Sequence, residues 1–160
     1  MNQSIKKLCD LFLKNELRCF KKELENSDVF FSSTTQYTTF GASLESAVME
    51  LCHGSCHELT IGLSELLGTE KIVLITDGAG FPIHSALLNN EGFILDSNGI
   101  HKIEDALIFW KSIIKETCKY TIENVEFLHL FAGSDDSVIS DTLIDFELVA
   151  KFMLDNLKEL

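Results

Sequence analysis

Three side chains sit where nucleophilic chemistry could be built: Cys56, His84 and Asp96. Cys56 follows the helix-breaking pair Gly54-Ser55 and precedes an apolar stripe of Leu59, Leu63, Leu66 and Leu67, closed by Gly68. That spacing predicts a helix beginning at the cysteine. A helix N-terminus carries partial positive charge and free N–H groups, which favour a thiolate over a thiol. His84 falls inside a predicted strand and Asp96 at the end of the next, on either side of the turn Asn89-Asn90-Glu91-Gly92. Strand pairing across that turn can set them side by side. An imidazole beside a thiol accepts its proton, and a carboxylate on the far side of the ring fixes the productive tautomer.

Two other constellations compete for these residues. Cys52 and Cys56, or His53 and His57, are four apart and could share a helix face as zinc ligands. Gly54-Ser55 interrupts that face, and no second pair at ordinary spacing follows. His84, His101 or Cys118 would have to complete the shell, so a small metal-binding domain is the third reading. Gly78-x-Gly80 beside Asp77 has the look of a nucleotide loop. It leads into a strand and lacks the Lys-Ser/Thr that reaches phosphate, so it gives no support for a nucleotide. No cofactor is expected.

The strings His53-Gly54-Ser55-Cys56-His57-Glu58-Leu59, Pro82-Ile83-His84-Ser85-Ala86-Leu87 and Phe93-Ile94-Leu95-Asp96-Ser97-Asn98-Gly99-Ile100 together resemble the papain-like and transglutaminase-like cysteine enzyme superfamily, in its small bacterial form. The resemblance spans about residues 43–110. It implies a papain-like core in which Cys56 is the nucleophile, His84 the base and Asp96 the orienting acid. It also implies acyl transfer at a carboxamide: hydrolysis of a peptide or isopeptide bond, deamidation of Gln, or transfer to an amine. Two positions depart from the pattern. The oxyanion-hole Gln expected a few residues before the cysteine is replaced by a stretch offering Glu50 and His53, with Ser55 adjacent and Gln36 farther back. The aromatic residue that often follows the cysteine is His57 here. The alternative is therefore a catalytically inactive relative acting as a protein-binding or immunity-type module.

The elements that must position these residues follow from hydrophobic periodicity. Ile5, Leu8, Cys9, Phe12, Leu13, Leu17, Phe20 and Leu24 recur at helical steps and predict a helix from Ser4, its N-cap, to about Asn26. Val29-Phe30-Phe31 is too short to assign, and Ser32 to Thr39 reads as a loop or ragged extended segment. A second helix is expected over Ser43 to Leu51, and the Cys56 helix follows. Strands are expected from Lys71 to Thr76, Pro82 to Leu88, Phe93 to Asp96 and Tyr120 to Phe127. The third strand is expected to end at Ser97-Asn98-Gly99. Ile103 to Glu116 reads as a helix with Ala106, Leu107, Trp110 and Ile114 inward. Ala132 to Ser137 reads as a loop, and Ser140 to Leu160 as a C-terminal helix. The short turns predict an antiparallel meander with the Cys56 helix on one face, hence an α+β fold.

The chain has 160 residues, one domain's worth, expected to divide into a helix and loop (1–42), a catalytic core (43–131) and a C-terminal helix (132–160). It has 46% hydrophobic residues, 24% charged residues and one Pro, a globular composition that can close a core without disulfides. Thirteen Lys and Arg against 25 Asp and Glu give a net charge of −12. Such a surface repels phosphate backbones and anionic lipid, so neither a nucleic-acid nor a membrane partner is expected. A protein or peptide substrate, basic in character, suits that charge. No apolar run reaches the ~20 residues of a spanning helix. The basic touch at Lys6-Lys7 is followed by Asp10, Lys14 and Glu16, which is unlike a secretory signal. Five cysteines, an odd number, read as reduced thiols in a cytoplasmic setting, with delivery into another cell left open.

Overall fold

The structure, a computed structural model, describes residues 3–14, 16, 18–20, 56–132, 150–151, 153–155 and 157–159, with backbone alone at 18–20, 131–132 and 157–159. It is an α+β fold. In chain order the elements are α1 (Gln3–Leu13), β1 (Arg18–Phe20), α2 (Cys56–Leu67), β2 (Lys71–Thr76), β3 (Pro82–Leu88), β4 (Phe93–Asp96), β5 (Gly99–Lys102), α3 (Ile103–Ile114), β6 (Lys119–Asn124), α4 (Glu126–Ala132) and β7 (Leu157–Glu159). Among the described residues the strands form one sheet in the order β6-β2-β3-β4-β5-β1-β7, with every neighbouring pair antiparallel.

The sheet has two covered faces because alternate residues of its strands are apolar on both sides. Ile72, Leu74, Leu87, Leu95 and Ile100 meet α1 and α2 through Leu8, Phe12, Leu59 and Leu63. Val73, Ile75, Ala86, Leu88 and Ile94 meet α3 through Ile103, Ala106 and Trp110. Two turns hold the meander in register by the same device. Asp77 Oδ1 accepts the N–H groups of Ala79 and Phe81 at 2.9 and 2.8 Å, so Asp77-Gly78-Ala79-Gly80 is a hairpin turn. Asn89 Oδ1 accepts those of Glu91 and Phe93, both at 2.9 Å. Asn89 Nδ2 also donates to the Phe12 carbonyl at 3.1 Å, tying the second turn to α1. Short side chains that accept from the backbone two and four residues on explain the preference for Asp and Asn there.

Several sequence expectations are corrected. The first helix stops at Leu13 instead of running to Asn26: the chain straightens into β1, which pairs with β5 and β7. Strand pairing wins there over a continuing apolar stripe, since helix propensity is a weak prior. The third strand does end at Asp96, before Ser97-Asn98-Gly99, but that segment leads into a strand that the sequence pattern does not predict. The segment turns the chain into β5, with Gly99 at φ 120°, a conformation few other residues adopt. The strand expected to reach Phe127 ends at Asn124, whose Oδ1 accepts the Glu126 N–H at 3.0 Å and starts α4. The expected C-terminal helix does not reach Leu160: residues 150–151 and 153–155 are helical, but Leu157–Glu159 is a strand paired with β1. The helix over Ser43 to Leu51, the loop from Ser32, and Gln36, Cys52, His53 and Ser55 lie outside the described residues.

Candidate functional site

Cys56 is the first residue of α2 among the described residues, and α2 lies against β3. The junction is polar at one point: Thr60 Oγ1 donates to the Cys56 carbonyl at 2.8 Å and lies 3.2 Å from Ser85 Oγ. One turn into the helix, this contact fixes the height of Cys56 against the strand. The thiol interacts with both His84 and Ser85. Successive strand residues point to opposite faces, so a group that reaches both sits at the margin of the strand. The register leaves room for it: the β3–β4 ladder runs only through Leu87↔Leu95 and Leu88↔Ile94, and neither His84 nor Ser85 takes part.

His84 and Asp96 are buried, each 2% exposed. His84 Nε2–H donates to Asp96 Oδ2 at 2.8 Å. The Trp110 indole lies on the imidazole, with ring centroids 4.8 Å apart. Nδ1 has no partner at full hydrogen-bond geometry, yet the ring and the Cys56 sulfur are near enough to shift each other's titration. With its Nε2 proton committed to Asp96, neutral His84 presents the lone pair of Nδ1, the form a general base needs.

Asp96 serves two roles with its two oxygens. Oδ1 accepts the Asn98 N–H at 2.8 Å, the ordinary work of an Asp before a turn, while Oδ2 takes His84. Oδ1 also accepts from His101 Nε2 at 3.0 Å. In the sequence His101 stands out only as a residue that could complete a metal shell. The signal that could have found it is the register. With Asp96 opposite Gly99 across a two-residue turn, His101 falls on the same face of the sheet as Asp96.

The charges follow from these contacts. Burial pushes the Cys56 thiol up, but hydrogen bonding to His57 and His84, the charge of His84 and hydrogen bonding to Ser85 bring it down to about 5. Burial pushes His84 down, and its bonds and charge interactions with Asp96 and Cys56 more than reverse this, raising it to about 10. Asp96, despite burial, is held well below the usual carboxylate range by His101 and then His84. His57 is raised, chiefly by its hydrogen bond with Cys56. These shifts favour a thiolate on Cys56 and an imidazolium on His84, backed by the Asp96 carboxylate. The other described thiols differ: burial beside Asp10 lifts buried Cys9 to about 11, and Cys118 is also raised.

Cys56, His84 and Asp96 thus come together in space. Of the weaker candidates, Gln36, His53 and Ser55 lie outside the described residues, as does Cys52 of the metal reading. Among the described residues no group of three or more His, Cys, Asp or Glu is arranged to hold a metal ion. Also among them, no helix is long and apolar enough to cross a membrane. Comparison with protein-family models, curated proteins and solved structures found no match to this chain.

Proposed function

We propose that the chain is a cysteine-dependent acyl-transfer enzyme acting on a carboxamide of a protein or peptide. The observation that carries this reading is the 2.8 Å hydrogen bond from His84 Nε2 to Asp96 Oδ2, which leaves Nδ1 free of a partner among the described residues, on the strand against which the Cys56 helix packs. In the proposed reaction the Cys56 thiolate attacks the carbonyl carbon. The C–N bond breaks as His84 gives its proton to the leaving nitrogen, and a thioester forms. Water or an amine, deprotonated by His84, then attacks the thioester and releases Cys56. The resemblance to papain-like and transglutaminase-like enzymes supports the same reading. The net charge of −12 supports a basic substrate, and free thiols at Cys9, Cys56 and Cys118 support a reducing, cytoplasmic setting.

A generic acyl donor tests this. With p-nitrophenyl acetate, the expected result is a burst of nitrophenol and an acetyl thioester on Cys56, both absent from Cys56→Ala. Gln-containing basic peptides then separate the outcomes: new termini for a peptidase, ammonia for a deamidase, incorporation of an added amine for a transferase. Acetylation of Cys56 no faster than that of Cys9 overturns the reading in favour of a non-catalytic binding module.

A further inference from the structure

We infer that His101 is a positioning residue of this centre, holding one oxygen of Asp96 so that the other stays aimed at His84. The inference rests on the acyl-transfer reading of Cys56 and His84.

The argument begins with a carboxylate's freedom. An Asp side chain turns easily about its last bond, with a broad two-fold preference. One hydrogen bond to one oxygen leaves the plane of the group loosely set. Asp96 has three donors: His84 Nε2 on Oδ2 at 2.8 Å, and His101 Nε2 at 3.0 Å and the Asn98 N–H at 2.8 Å on Oδ1. The Asn98 bond belongs to the turn that Asp96 itself opens. His101 comes from a different strand, β5, and so locks the carboxylate to a second element.

His101 is placed for this by the backbone. It opposes Ile94 in the β4–β5 ladder, and Ile94 lies two residues from Asp96 on the same face. The His101 side chain is 10% exposed, so its nitrogens have little water to turn to. A buried polar ring without a partner is costly, and Asp96 supplies the partner. The groups that bear on the charge of His101 are Asp96 on β4, His84 on β3 and Asp105 on α3. The two carboxylates favour its cation and the His84 imidazolium opposes it. His101 is in turn the foremost influence holding the Asp96 carboxyl ionised against burial.

The consequence for Cys56 is indirect. If Asp96 rotates away, the His84 cation loses its anchor and the thiolate loses part of its counter-charge. A histidine that only filled space would alter stability and leave the thiol's titration where it was.

The test is the pH profile of Cys56 carbamidomethylation by iodoacetamide, read by site-resolved mass spectrometry between pH 4 and 10, on the full chain. Wild type is compared with His101→Phe, which keeps a ring and removes the donor, and His101→Gln. In Gln the amide nitrogen stands as many bonds from Cβ as histidine Nε2 does. The expected result is an acid limb moved up by about one pH unit in His101→Phe, equal to about a tenfold loss of thiolate at fixed pH below the limb. His101→Gln should stay close to wild type. Superimposed wild-type and Phe profiles, or an equal shift in Gln, overturn the inference. Should His101→Phe not fold, nitrogen-15 NMR of the wild-type histidines decides: a proton on His101 Nε2 supports the inference, and a neutral Nδ1–H tautomer overturns it. A wild-type Cys56 that titrates near 9 removes the acyl-transfer reading itself. A low wild-type value with unresponsive variants removes only the role of His101.

Discussion

His84 and Asp96 meet through a 2.8 Å hydrogen bond although they are not partners in the strand ladder, which stops at Leu87↔Leu95. The contact is made by side chains reaching across the end of a hairpin. The strands themselves need not be paired there, and that opening is where the first residue of α2 brings its sulfur.

The described thiols should react in a fixed order. At pH 6.5 iodoacetamide should label Cys56 well ahead of Cys118, and Cys9 last. Cys9 is both buried and lifted to about 11, whereas Cys56 lies near 5. Site-resolved mass spectrometry checks this, and prior labelling of Cys118 contradicts it.

The reactive window should have two edges. An acid held below its ordinary value is deprotonated earlier as pH rises, so thiolate appears through about pH 5. A base held above its ordinary value keeps its proton longer, so the imidazolium persists until about pH 10. Because the two groups interact, the edges belong to the pair. A plateau of alkylation rate between them is expected, with a change of slope near each. A single step near 9 contradicts it.

His84→Gln should erase the lower edge. The Cys56 thiol then keeps the burial that pushes it up and loses the cation that brings it down. The acid limb should move up by about 1–3 pH units, the usual effect of an opposite charge within contact. Acyl transfer to p-nitrophenyl acetate should fall by about 10²–10⁴-fold, the usual contribution of a positioned base. An unchanged limb would mean that His57, not His84, governs the thiol.

Asp96→Asn should cost stability as well as activity. Its carboxyl has a folded pKa below the unfolded value of 3.8. That contribution is therefore present above pH 3.8 and is lost as pH falls through the lower folded value. At pH 7 the substitution leaves two buried imidazoles without their anion, a change that typically costs about 3–5 kcal/mol. Urea unfolding at pH 7 measures it, and a loss below about 1 kcal/mol would show that the pair contributes little to the fold.

The meander and the pairing of His84 with Asp96 were readable because local signals agreed. Asp77 and Asn89 each open a turn that contains glycine, apolar runs alternate with those turns, and His84 and Asp96 flank one of them. What could not be read depended on distant partners. Arg18–Phe20 carries a helical stripe and becomes a strand only because β5 and β7 are there to pair with it. Leu157–Glu159 continues a helical pattern and is drawn into the sheet by the same strand. His101 was invisible as part of the centre for a different reason. Its role depends on the tight Ser97-Asn98 turn reversing the chain, which makes Gly99 the partner of Asp96.

The sheet's composition also sets an order of assembly. The His84–Asp96 contact spans 12 residues and the Asp96–His101 contact only five, so both are closed by short loops. The strands β1 and β7 instead join the two ends of the chain. Loop-closure entropy and the slow formation of long-range pairings place that junction late in folding. The charged heart of the protein is thus a local product, formed before the ends of the chain meet. Pulse-labelled hydrogen exchange during refolding should show amides of residues 84–101 protected before those of 18–20 and 157–159. Simultaneous protection would mean that the whole sheet condenses at once.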